Sequence, residues 1–197
     1  MLILKPPSKP ENILIDKGGH VKIIDFGLSK KVLDRTFTLC GTPDYIAPEI
    51  IQNKGHNKGA DYWALGIIVY EMMTGLPPFY KENEEHTTFD RIILGKIRYP
   101  RWLNRDGVSL VQGLLQADDT KRYGCMKAGA DDIRNHPYLK PLDWAAMLAR
   151  TDDGPFKPRM RKDDDTSAFD DYTGESLPVG KPVKQADEEK FSFYTWF

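Results

Sequence analysis

The chain has 197 residues, 40% of them hydrophobic, enough to bury one sizeable core, so two independent domains are not expected. Lys plus Arg number 28 against 29 Asp plus Glu, so no net charge draws the chain toward nucleic acid or an anionic membrane, and charge-based recognition must be local. Cys40 and Cys125 stand far apart without a Cys-x-x-Cys spacing, which argues against a disulfide framework or a structural zinc site and makes a reducing compartment the expectation.

In chain order, Met1 to Leu4 is apolar but too short for a signal peptide. Residues 12–16 and 21–25 read as two strands joined by Lys17-Gly18-Gly19-His20, whose glycines suit a hairpin turn. Residues 27–49 show no sustained period and read as one long loop, a kind of segment that usually carries function. From Lys58 to Thr74 apolar residues cover nearly the whole helical circumference, predicting a helix buried on most sides. Its longest apolar run, Ala64 to Val69, is far below the roughly 20 residues that cross a bilayer, so a soluble protein is expected. After a loop at 75–79, amphipathic patterns at 86–95, 107–117 and 129–135 predict a mainly helical body. Beyond Trp144 periodicity disappears and the composition turns to Asp, Lys, Pro, Gly and Ser, predicting a tail that lies on something else. No internal repeat is visible.

A hairpin over 12–25 brings Asn12 and Asp25 to one edge, and two oxygen ligands there suit magnesium. Asp25-Phe26-Gly27 alone would be a weak signal, a strand end. It is followed in order by Gly41-Thr42-Pro43-Asp44-Tyr45-Ile46-Ala47-Pro48-Glu49 and by Asp61-Tyr62-Trp63-Ala64-Leu65-Gly66. With Lys9-Pro10-Glu11-Asn12, this order and spacing resembles the larger lobe of protein kinases, whose catalytic-loop, Asp-Phe-Gly and Ala-Pro-Glu signatures it repeats. Arg35 to Pro43, Thr120-Lys121-Arg122-Tyr123-Gly124 and Phe169-Asp170-Asp171-Tyr172 narrow the resemblance to the AGC group and, within it, to cyclic-AMP-dependent kinases. The fold implied is α+β, mainly α: a β-hairpin plus helical bundle over 9–140 and an extended tail over 141–197, with 1–8 unmatched.

The resemblance implies ATP and Mg²⁺ as cofactors and transfer of the γ-phosphoryl group to Ser or Thr after basic residues. Lys9 would steady the transferred group, Asn12 and Asp25 would hold the metal, and Thr42 would hydrogen-bond within the catalytic loop. Thr38 falls where the family carries an activating phosphate that pairs with basic groups such as Lys30; the plainer reading is a solvated loop threonine. Glu49 would form a buried ion pair with Arg122, and Asp61 would be structural. Glu11 and Glu71 match positions that bind a substrate arginine, although Glu71 alone would read as a helix-surface carboxylate. Leu39, Pro43 and Ile46 would line an apolar pocket for the residue after the target. Glu11, Phe169 and Tyr172 would reach the nucleotide, and Tyr194 and Phe197 would fill a pocket of the smaller lobe. Cys40 reads more simply as an inert thiol than as a redox switch. His20, His56, His86 and His136 show no metal-ligand spacing.

The resemblance also exposes departures. The family's proton-accepting Asp, five residues before Asn12, is Pro7 here, and an alignment with Pro7 to Pro10 inserted puts Ile3 in its place. No Gly-x-Gly-x-x-Gly, strand lysine or partner glutamate precedes residue 9, so the smaller lobe is expected to be absent. The expectation is a kinase fragment inactive alone, whether a truncated product of an active kinase, a pseudogene product or a piece completed by another chain. The alternative is a non-catalytic kinase-like module that binds a regulatory subunit or a substrate. Protein substrates and a cAMP-binding regulatory subunit are the implied partners, without nucleic acid or a membrane span, in the cytoplasm or nucleus.

Overall fold

The structure, a computed structural model, describes residues 2–3, 9–27, 29–32, 34–39, 41–80, 87–162 and 165–169. Pro7, Cys40, His86, Tyr172, Tyr194 and Phe197 lie outside them. The chain divides into a unit through Arg159 and a second from Met160 onward.

The first unit opens with two small antiparallel sheets. Strand β1 (Leu2–Ile3) pairs with β4 (Lys30–Lys31), and β2 (Ile13–Ile15) pairs with β3 (Val21–Ile23) in the register Ile13 to Ile23. Both inner strands are shorter than the sequence pattern suggests, because Asn12 closes a 3-10 turn over Pro10–Asn12. Asp16 closes the hairpin: its Oδ1 accepts from the Gly18 and His20 amides at 3.0 Å each, the Asx-turn chemistry that favours Asp at such corners.

Residues 27–49 are not the uniform loop that the sequence suggests. They contain β4, a 3-10 turn over Pro43–Tyr45 and the start of α1 (Pro48–Ile51), and Thr36 pairs with His56 in both backbone directions at 2.9 Å. Single bridges of this kind leave no period in the sequence.

Helix α2 (Gly59–Thr74) is the axis of the unit. It ends at Gly75, whose φ of 89° takes the left-handed conformation that closes a helix without a Cβ penalty. Trp63, Ala64, Ile67 and Ile68 point into the core with Ile46, Ala47, Phe79, Ile92 and Val111, and the Trp63 ring stacks on Phe79 at 5.9 Å. One face stays open, at Leu65 and Met72. Helices α3 (Thr88–Leu94) and α4 (Arg105–Leu114) pack around this axis. A capping box between Thr87 and Asp90 starts α3, and Asn104 accepts from the Asp106 and Gly107 amides to start α4, two residues before its apolar pattern begins. Gly66 lets α2 and α4 approach, since a Cβ there would meet Leu114 and Leu115 at 2.8 Å. The short α5 (Asp131–Arg134) closes a satellite cluster of Leu110, Leu114 and Ile133.

The expectation of a structureless tail after Trp144 is corrected by α6 (Trp144–Ala149), which Asp143 caps through the Ala145 and Ala146 amides. The helix buries none of its residues fully, so its apolar residues carry no readable stripe. The chain after it returns to the hairpin turn: the Gly154 amide donates to the Gly18 carbonyl at 3.0 Å, and His20 Nε2 lies 3.1 Å from the Asp152 carbonyl oxygen. Gly19 (φ 85°) and Gly154 meet so closely that a Cβ on either would strike the other's backbone. In the second unit, Asp165 accepts from the Arg161 and Ser167 amides, and Phe169 is exposed. Among the described residues, no helix is long and apolar enough to cross a membrane.

Candidate active site

Three groups of predicted residues are built by three parts of the first unit. The first sits at the mouth of the β2–β3 hairpin. The Asn12 amide donates to the Lys9 carbonyl at 2.9 Å, which places both residues on one turn. The Ile24 amide donates to the Asn12 carbonyl at 2.9 Å, so Asp25 stands one residue beyond the position opposite Asn12. Asn12 is buried, with 7% exposure, while Asp25 is exposed and adopts φ 61°. Asp is one of the few residues that tolerates this left-handed region, and such conformations collect at functional sites. Its Oδ1 accepts from the Gly27 amide at 3.3 Å. An amide and a carboxylate oxygen are the hard donor types that a magnesium ion takes alongside water and phosphate. Among the described residues, no group of three His, Cys, Asp or Glu side chains is placed to hold a metal.

The second group is acidic. Tyr45 donates its hydroxyl to Glu71 Oε2 at 2.6 Å, joining the 3-10 turn to α2 across 26 residues of sequence. Burial pushes the Tyr45 hydroxyl well above the ordinary tyrosine range, helped by the bond to Glu71 and by the fields of Glu71, Glu11 and Asp44. Glu11, Asp44 and Glu71 therefore share one neighbourhood. Burial also raises the Asp44 carboxyl, against the opposing field of Arg91. Of the predicted apolar trio, Leu39 and Pro43 are exposed, whereas Ile46 is 2% exposed and belongs to the core, so its side chain does not line an open surface.

The third group is structural. Arg122 and Glu49 form a two-pronged ion pair, Nη1 to Oε1 at 2.8 Å and Nη2 to Oε2 at 2.9 Å. Arg122 is fully buried, and its remaining donors reach the Gly59 carbonyl at 2.7 Å and the Gln116 carbonyl at 2.9 and 3.0 Å. Its guanidinium lies 5.2 Å from the Trp63 ring centre, so desolvation is offset by charge, hydrogen bonds and a cation–π contact. Asp61 sits in the first turn of α2, where a carboxylate suits the helix dipole.

Between these groups, Thr38 is exposed, and Lys30 Nζ donates to Thr36 Oγ1 at 3.4 Å, two residues from it. Thr42 is half-buried and its carbonyl accepts from the Tyr45 amide at 3.1 Å. Arg35 was not singled out in the sequence, yet it pins this segment: Nη1 donates to the Gly55 carbonyl at 2.7 Å and Nη2 to Asp119 at 3.2 Å. Tyr45 was missed as well, since its bond to Glu71 spans 26 residues of sequence.

Residues 8–139 match the protein kinase domain family. The human protein "cAMP-dependent protein kinase catalytic subunit PRKX" is 46% identical over 183 residues, covering 93% of this chain and 51% of the relative. The Drosophila melanogaster "cAMP-dependent protein kinase catalytic subunit 3" is 48% identical over 184 residues, covering 93% of this chain and 31% of the relative. The Saccharomyces cerevisiae "cAMP-dependent protein kinase type 3" is 42% identical over 173 residues, covering 87% and 43% respectively. The chain thus spans about half or less of the length of these curated relatives. A helix-rich body of mixed α/β content, an Asp-Phe-Gly at a hairpin mouth and a family match over 8–139 together establish that this chain belongs to the protein kinase domain family.

Proposed function

We propose that residues 9–140 form the larger lobe of a serine/threonine kinase of the cAMP-dependent type, followed by an AGC-type tail over 141–197, acting in the cytoplasm or nucleus. What supports this reading is the hairpin mouth, where the Ile24 amide donates to the Asn12 carbonyl and Asp25 follows one residue further along. Asn12 and Asp25 would hold Mg²⁺ with ATP. The metal, when bound, would neutralise phosphate charge, and Lys9, on the same turn as Asn12, would add a cation beside it. Thr42 would orient the catalytic loop, and a phosphate on Thr38 would pair with Lys30.

Peptide choice would rest on the acidic group. Glu11 and Glu71 would offer carboxylates to an arginine preceding the target Ser or Thr, with one Glu71 oxygen held by the Tyr45 hydroxyl. Leu39 and Pro43 would cover the residue after the target.

A second reading is favoured by the sequence at the proton acceptor. Pro7 or Ile3 stands where a carboxylate would take the hydroxyl proton, while the acidic group is intact. The chain would then bind basic segments, a substrate or the inhibitory stretch of a cAMP-binding regulatory subunit, without phosphorylating them. The test is phosphoryl transfer from magnesium ATP to an Arg-Arg-x-Ser peptide by the purified chain. No transfer, with calorimetrically measurable binding of the peptide, is the expected result. Turnover within about a hundredfold of typical kinase rates, roughly 1–100 per second, overturns the claim of inactivity.

A further inference from the structure

A surface groove of ≈ 530 Å³ opens between the C-terminal end of α3, residues 95–99 and the C-terminal end of α4, with Trp63 at its floor. Ile93, Ile97, Tyr99 and Leu115 supply apolar walls, and Gln112 and Gln116 supply amides. Along this stretch exposure alternates: Ile97 and Tyr99 line the groove and pack on the core, while Lys96 and Arg98, their chain neighbours, are exposed. The alternation is held in place, because Tyr70 donates to the Arg98 carbonyl at 2.7 Å and meets the Tyr99 ring edge-on at 6.1 Å.

The charge of this stretch is one-sided. Residues 96–105 carry Lys96, Arg98, Arg101 and Arg105 and no acid, in a chain whose net charge is −1. Several cations elsewhere are engaged, as in Arg35–Asp119, Arg122–Glu49, Arg134–Asp131 and Lys157–Asp153. These four have no ion-pair partner among the described residues. Leu94, which lines the groove, and Trp102 in the same basic stretch are 58% and 69% exposed.

We infer that this groove docks an acidic peptide segment, which seats one apolar side chain among Ile93, Ile97 and Leu115 and lays carboxylates on Lys96 and Arg98. A single apolar anchor inside a charged rim is the usual anatomy of a peptide site, with the anchor supplying affinity and the rim supplying rate and choice of partner. The two glutamines favour a peptide over an anionic lipid. Gln116 Nε2 donates to the Gln112 backbone carbonyl at 3.0 Å, and the exposed Gln112 amide beside it suits a peptide backbone, whereas an acyl chain would leave it unpaired.

The probe is a fluorescein-labelled hexapeptide with one apolar residue, Asp-Glu-Ser-Phe-Glu-Asp, titrated with the full chain by anisotropy. Saturable binding that weakens with salt is expected, with loss of about tenfold or more in the Lys96→Glu/Arg98→Glu variant and in a peptide with Ser in place of Phe. Both lysine and arginine positions are exposed, so the fold survives their exchange. In spectra of the labelled chain, the Gln112 and Gln116 side-chain amides shift on binding. Absence of saturation up to about 1 mM, a Kd worth less than about −4 kcal/mol, or binding indifferent to the double substitution, overturns the inference. So does tighter binding to phosphatidylserine vesicles than to the peptide with the same dependence on Lys96 and Arg98.

Discussion

The surroundings of Arg122 and the β2–β3 hairpin are two ways of placing functional residues in one unit. Around Arg122 a charge is enclosed on every side, by a carboxylate, two carbonyls and an indole ring contributed from separated parts of the chain. At the hairpin, Ile15, Val21, Ile23 and Ile24 are between 40% and 60% exposed, and the position of the mouth depends on a three-residue ladder, the Ile24–Asn12 bond and the return of residues 152–154. The difference teaches where substitutions are read out. Changes in the body are expected to appear as stability, and, if the proposed ion site is right, changes at the hairpin mouth as binding.

The sharpest way to break this contrast is Arg122→Ala. It leaves Glu49 charged and buried without a partner, and a loss of about 3–5 kcal/mol is expected from urea unfolding. An unchanged midpoint would show that the enclosure does not hold the body together. Gly66→Ala forces a Cβ against Leu114 and Leu115, and about 1–3 kcal/mol of destabilisation is expected in the same assay.

The body also carries a pH signature. Burial pushes Tyr99 up to about 12, and Tyr45 is raised further by burial and by Glu71. A raised native value means that the unfolded chain ionises first, above pH ~10. The stabilisation is therefore complete below that point and is lost as pH rises past it. Alkaline unfolding followed by tyrosinate absorbance at 295 nm should show ionisation coinciding with loss of structure; ionisation of every tyrosine before unfolding would contradict it. The smallest effect is expected at the hairpin: Val21→Thr, on an exposed strand position, should change stability by no more than about 0.5 kcal/mol.

What could be read from the sequence follows the same division. Helix α2 was legible because its apolar residues repeat around a helix and Gly75 stops it, and the hairpin was legible because Gly18 and Gly19 sit between two β-rich runs. Glu49 and Arg122 were legible only through the resemblance to kinases, since 73 residues separate them. Tyr45–Glu71 and the fork of Arg35 on Gly55 and Asp119 left no trace, because a contact between distant segments has no local period. Helix α6 was missed for a different reason: it is only six residues long and buries none of them fully. The reading of Ile46 as a pocket residue failed because a short apolar run does not say which side chain turns inward.

Most of the functional account depends on Asn12 and Asp25 acting as one divalent-ion site. The direct measurement is paramagnetic broadening by Mn²⁺ with ADP on the isotope-labelled chain, since Mn²⁺ takes the same hard oxygen donors as Mg²⁺. The amides of Ile13, Ile24 and Gly27 should broaden first, and Asp25→Ala should abolish the effect. Broadening centred elsewhere, or undiminished in Asp25→Ala, would contradict the account.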